Sequence, residues 1–179
     1  GESDLEVAKA IYYYVQNNYF CTDTSDVFKQ MDLYDVYKKQ KGSIRAINLL
    51  LIAMLNNKNF FAEPVLLSTK DNGFVNPNYP VIDKFNYLIC RVQANGKTYF
   101  LDAAKPELGF GQLPEKCYNG YARVVSKNNP DSLYLLSDSL KETKISTLFL
   151  INENEKISGT FESVLGTTES TEMRNDLRT

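Results

Sequence analysis

The chain has 179 residues, 22 acidic against 20 basic side chains, 43% hydrophobic content, and neither histidine nor tryptophan. That length can bury a real core and suits one domain, or one domain with part of another; a net charge of -2 without basic runs speaks against nucleic acid as a partner. The absent histidine excludes Ser–His and Cys–His nucleophile pairs and every His-containing metal site, and no apolar stretch approaches the ~20 residues of a membrane-spanning helix.

Ser3-Asp4-Leu5-Glu6 has the form of a capping box, with Ser at the N-cap and Glu three residues later. Leu5, Ala8, Ile11, Tyr12 and Val15 follow at helical spacing, so the pattern predicts a helix over 4–18. A polar stretch over 21–26 precedes a short helical pattern around 32–40, with Gly42 as its stop signal. Ser43 can cap the next helix, in which Ile44, Ile47, Leu50, Leu51, Met54 and Leu55 line one broad face and Asn56-Asn57 mark the end. With so few charges, that helix is expected to be the buried centre of the fold.

From Glu63 the hydrophobic period changes. The pattern predicts strands over 64–68 and 85–92, a two-residue turn at Asn95-Gly96, and a return strand over 98–102. Residues 70–80 and 106–120 carry loop chemistry. Further short strands are expected over 121–125 and 132–136, and a last hairpin over 145–151 and 157–164. The tail from Gly166 shows no core pattern and is expected to be partly mobile. Helices first and antiparallel strands afterwards define an α+β chain.

The turn also fixes a register. If Ala94 faces Lys97, then Ile89 faces Asp102, and Tyr87 lies on the same face as Asp102, diagonal to it and roughly 7 Å away between Cβ atoms. A side chain at 87 can therefore reach the carboxylate at 102.

Lys41-Gly42-Ser43-Ile44-Arg45-Ala46-Ile47-Asn48-Leu49-Leu50-Leu51, Pro64-Val65-Leu66-Leu67-Ser68-Thr69, Asp71-Asn72-Gly73, Phe85-Asn86-Tyr87 and Tyr99-Phe100-Leu101-Asp102 occur in this order. Together they resemble the transglutaminase-like superfamily, and within it the bacterial multidomain branch with flanking β-rich domains. The resemblance implies a papain-like fold in which a central buried helix packs on an antiparallel sheet. It places the domain over 1–142, followed over 143–179 by a β-hairpin and tail that begin a β-rich domain. Active members of that superfamily use a Cys-His-Asp triad, with the Cys at the start of the central helix. The resemblance puts the Cys place at Ile44, the His place at Tyr87 and the Asp place at Asp102. Only Asp102 keeps its chemistry.

The consequence is chemical. Ile44 has no heteroatom, so no acyl-enzyme can form there, and a tyrosine is a poor base at neutral pH. Beside a carboxylate its anion is disfavoured further. Tyr87 is expected instead to donate its hydroxyl to Asp102, and Ser43, Ile44, Asn86, Tyr87 and Asp102 to line a groove above the helix start. No catalytic residue, metal or cofactor is expected.

Other nucleophiles have ordinary explanations. Ser43, with Lys41 as a base, reads first as a helix cap worth ~1 kcal/mol. Cys21, Cys90 and Cys117 form neither a CxxC pair nor an even set, so packing is their expected role. Cys90 falls on the face opposite Tyr87, and Cys117 has Lys116 beside it, which can lower a thiol pKa. Tyr12-Tyr13-Tyr14 and Phe60-Phe61 are expected to be core or rim, since a helix cannot turn three consecutive residues to one side. Lys38-Lys39 reads as a solvated helix end, Gly109-Phe110-Gly111 is not a phosphate loop, and Asp131 and Asp138 have no catalytic spacing.

The resulting expectation is a catalytically inactive transglutaminase-like domain, a structural or ligand-binding module of a larger exported bacterial protein. Its partners would be flanking β-rich domains of the same polypeptide and a peptide or glycan ligand, with no nucleic acid and no membrane span. The chain opens without an initiator Met or a charged-then-apolar leader, so it is expected to be a processed or excised piece. A periplasmic, cell-envelope or secreted location is implied by the resemblance alone. The alternative is a Cys- or Ser-dependent hydrolase or acyltransferase with a non-standard nucleophile.

Overall fold

A computed structural model describes residues 3–23, 28, 32–79, 81–126, 130–137, 145–153 and 156–177. Helix α1 (Asp4–Asn18) starts at the expected capping box: Ser3 Oγ accepts from the Glu6 amide at 3.3 Å, and Glu6 Oε2 accepts from the Ser3 amide at 2.8 Å. Ala8, Tyr12 and Val15 of its predicted stripe are fully buried, while Leu5 and Ile11 pack half-buried against the same core. Strand β1 (Phe20–Asp23) then pairs in parallel with β2 (Lys41–Ser43), Cys21 lying beside Gly42.

Between them runs α2 (Leu33–Lys39), capped by Asp32 and closed by Gln40 in the left-handed region at φ 52°. The expected stop at Gly42 is therefore misplaced. A Cβ at residue 42 would lie 2.9 Å from Ala46 Cβ and 3.1 Å from Val36 Cγ1, so the glycine serves close packing of β2 between two helices. Helix α3 (Ile44–Asn57) follows at once, with Ser43 as N-cap. Ile47, Leu51 and Leu55 are fully buried along its length, and it packs against α1, α2 and the two strands that come next.

Those strands belong to a five-stranded antiparallel sheet in the order β5-β4-β3-β6-β7. They are β3 (Phe61–Leu67), β4 (Tyr87–Ala94), β5 (Lys97–Leu101), β6 (Gly120–Val124) and β7 (Asp131–Leu135). Asn95 and Gly96 turn with φ of 48° and 70°, the two positive values a type I′ turn needs. Ala94 faces Lys97 and Cys90 faces Leu101, the register derived from the turn. The expected α+β architecture, N-terminal helices and a central buried helix on an antiparallel sheet, is the one observed.

The chain divides into two compact units, Gly1–Ser139 and Leu140–Thr179. In the second, β8 (Ile145–Glu153) pairs antiparallel with β9 (Lys156–Val164), and the tail, expected to be partly mobile, carries α4 (Thr167–Asp176). The hydrophobic period missed α4 because its bonds are polar: Arg174 Nη2 donates to Ser170 Oγ and Thr171 Oγ1, each at 3.3 Å.

Candidate functional site

Ser43 sits with extended backbone at the mouth of α3, and its Oγ accepts from the Ala46 amide at 3.2 Å. Lys41 is exposed and makes no hydrogen bond to Ser43 among the described residues. The hydroxyl is thus committed to the helix cap. Ile44, the first residue of α3, is 3% exposed and belongs to the core.

Strand β4 begins with Tyr87, whose Oη donates to Asp102 Oδ2 at 2.7 Å. Both groups are out of solvent's reach, at 3% and 0% exposure. Asp102 Oδ1 accepts from Asn48 Nδ2 at 2.9 Å and from the Ala104 amide at 3.1 Å. Burial pushes the Asp102 carboxyl above its ordinary value, while the three donors pull the other way. Burial, reinforced by the Asp102 charge, raises the Tyr87 phenol so that it remains a protonated donor. Lys116 Nζ stands 5.1 Å from the Tyr87 ring centroid, within cation–π range.

Asn86 lies half-buried beside this pair and does a different job. Its Oδ1 accepts from the Thr69 amide at 2.9 Å and its Nδ2 donates to Thr69 Oγ1 at 2.8 Å, tying the end of β3 to the start of β4. Of the five residues expected to line a groove, Ile44, Tyr87 and Asp102 are buried, whereas Ser43 and Asn86 are half-buried.

Asn48 is the participant that motif reading missed. It is fully buried one turn after Ile44, its Nδ2 also donates to the Leu88 carbonyl at 3.0 Å, and its Oδ1 accepts from the Ala103 amide at 2.9 Å. The signal was present, since a polar residue on the core face of an apolar helix needs buried partners. Tyr12 is a second omission. Its hydroxyl lies 3.3 Å from the Asp102 and Leu108 carbonyl oxygens and takes a hydrogen bond from Gln16 Nε2 at 3.0 Å.

The remaining candidates are dispersed or occupied. The three cysteines form no disulfide; Cys90 and Cys117 are buried and Cys21 is half-buried. Lys116, which can lower a thiol pKa, is outweighed at Cys117 by burial and the Asp102 charge, which push that thiol up. Burial alone does the same to Cys90. Tyr12 is buried while Tyr13 and Tyr14 are exposed; Phe60 packs against the core and Phe61 is exposed. Lys38 is exposed, and Lys39 pairs with Asp35 at 2.8 Å on the surface of α2. Phe110, between Gly109 and Gly111, packs edge-on to Tyr12 at 5.6 Å. Asp131 is bound to Arg91 at 3.1 Å, and Asp138 lies outside the described residues. Among the described residues no group of three or more His, Cys, Asp or Glu side chains could hold a metal ion, and no helix is long and apolar enough to cross a membrane.

The fold is similar to the crystal structure of a putative protease from Parabacteroides distasonis ATCC 8503, with a TM-score of 0.55 and 18% identity over 76% of this chain. At that identity the likeness concerns the fold alone. The match spans 25% of the solved chain, so this chain corresponds to about a quarter of that protein's length. No protein-family profile and no curated protein matches the sequence.

Proposed function

We propose that this chain is a catalytically inactive transglutaminase-like domain acting as a structural module of a larger exported bacterial protein. The observation that carries the reading is the Tyr87–Asp102 bond, 2.7 Å long and buried. In a triad of that lineage an imidazole would stand between the carboxylate and a thiol. Here a phenol takes the bond, and the start of α3 presents the hydrocarbon of Ile44 where a nucleophile would be. Without a thiolate or a base of suitable pKa, neither acyl transfer nor thiol proteolysis has a first step.

A peptide or glycan ligand at this place would have to reach side chains that are buried in the present conformation, which favours the structural role over the binding one. The match to a quarter of a longer chain supports a multidomain setting, and flanking β-rich domains are the proposed neighbours. Export rests on the resemblance alone.

The test is the intact mass of the folded chain after incubation with acyl-transfer probes, an activated thioester and an activated aryl ester. The proposal predicts an unchanged mass. A stoichiometric adduct on Ser43 or Cys117 would establish instead a hydrolase or acyltransferase with a non-standard nucleophile.

A further inference from the structure

A cleft of about 430 Å³ opens on the side of β3 and β6 that carries Leu66 and Arg123. Register places those two residues side by side, and alternation puts Tyr121 and Val125 on the same face. Phe85 and Ile82, from the segment leading into β4, and Pro130 also line it. Phe85 and Leu66 also belong to a small satellite core with Val75 and Tyr121. Ile82 and Val125 remain 58% and 47% exposed, so the walls are open and apolar.

Arg123 supplies the polar feature. Its Nη1 donates to Tyr121 Oη at 3.3 Å, and among the described residues no carboxylate pairs with it. The contrast is Arg91, which is held between Glu63 and Asp131. An apolar cleft with one oriented guanidinium suits a ligand that has an apolar body and a single anionic end, and a guanidinium matches a carboxylate in a two-pronged hydrogen bond. An added peptide strand is a poor occupant, because β6 is already paired on both sides, by β3 and β7.

We infer that this cleft binds a small free monocarboxylate with an aliphatic or aryl body, its carboxylate on Arg123 and its body between Leu66, Phe85, Ile82 and Val125. A cleft of about 430 Å³ falls in the lower part of the range of small-molecule sites, which suits a small acid such as decanoate. The site is separate from the Tyr87–Asp102 pair and does not depend on its reading.

The experiment is an amide NMR titration of the whole chain with decanoate and with decanol, repeated on Arg123→Gln. The inference predicts saturable shifts for Leu66, Arg123, Val124 and Val125 with decanoate, and about tenfold weaker binding of decanol. Arg123→Gln should weaken decanoate by a similar factor and leave decanol unchanged. Absence of saturable shifts at millimolar decanoate, equal affinity for acid and alcohol, or shifts confined to other residues would each overturn it. The comparison of decanoate with decanol decides the matter even if Arg123→Gln perturbs β6.

Discussion

Asp102 joins the N-terminal helices to the sheet through three donors from three different places: the Tyr87 hydroxyl, the Asn48 amide side chain and the Ala104 backbone. Its burial outweighs those donors and raises its pKa above the ordinary 3.8. The folded chain therefore holds the proton more tightly than the unfolded one. The stability this gives is complete below pH ~4 and is lost as pH rises from there through the raised folded value. Asp102→Asn keeps the acceptor for Asn48 and Ala104 and turns a donor toward the Tyr87 oxygen. Urea unfolding midpoints should consequently fall as pH rises above ~4 in the natural chain more steeply than in the Asn variant. Parallel pH profiles would show that Asp102 is not the group responsible. The Tyr87–Asp102 diagonal was legible because a two-residue turn fixes the pairing of everything after it. The burial of Ile44, Tyr87 and Asp102 together was not, because which side chains cover a site depends on distant segments such as the 3₁₀ turn Glu115–Cys117.

At the scale of elements, α3 is held to the sheet by more than apolar packing. Asn48 spans from the helix to the Leu88 carbonyl, the Asp102 carboxylate and the Ala103 amide, so its loss leaves several buried polar groups unpaired. Asn48→Leu, close in volume and more apolar, is expected to cost about 2–4 kcal/mol for that reason; chemical denaturation measures it. A neutral or stabilising result would mean that water or a shifted Ala103–Ala104 segment takes over those bonds. The long apolar elements α1 and α3 and the hairpin of β4 and β5 were legible from period and turn chemistry. The pair of β1 and β2 was not, since strands of four and three residues are too short to show alternation. Gly42 was misread for a related reason: sequence marks a glycine as permissive, and only the neighbours Val36 and Ala46 show that it is there for lack of a side chain.

Across the whole molecule, the two units differ in how well they bury themselves. The sheet and helices of the first enclose a continuous core. In the second, Leu148, Leu150, Ile157 and Phe161 project to one face of the hairpin and Ile145, Phe149, Ile151 and Val164 to the other, all between 56% and 72% exposed. A two-stranded hairpin with apolar residues on both faces is marginal alone, which fits a segment whose partners lie in neighbouring domains of the proposed larger protein. Hydrogen exchange should show amides of 145–164 exchanging at least about 100-fold faster than those of β3 and β4; equal protection would show that the hairpin is self-sufficient. On the proposed reading, Ile44, Tyr87 and Asp102 occupy the places of one catalytic constellation. The most direct measurement is the alkylation rate at neutral pH of a thiol introduced by Ile44→Cys, with and without Tyr87→His, the modified residue located by peptide mapping. An imidazole held by Asp102 beside that thiol should lower its pKa and raise the rate at least ~10-fold. Identical rates in the two variants would contradict that placement, because residue 87 would then not be set to act on residue 44.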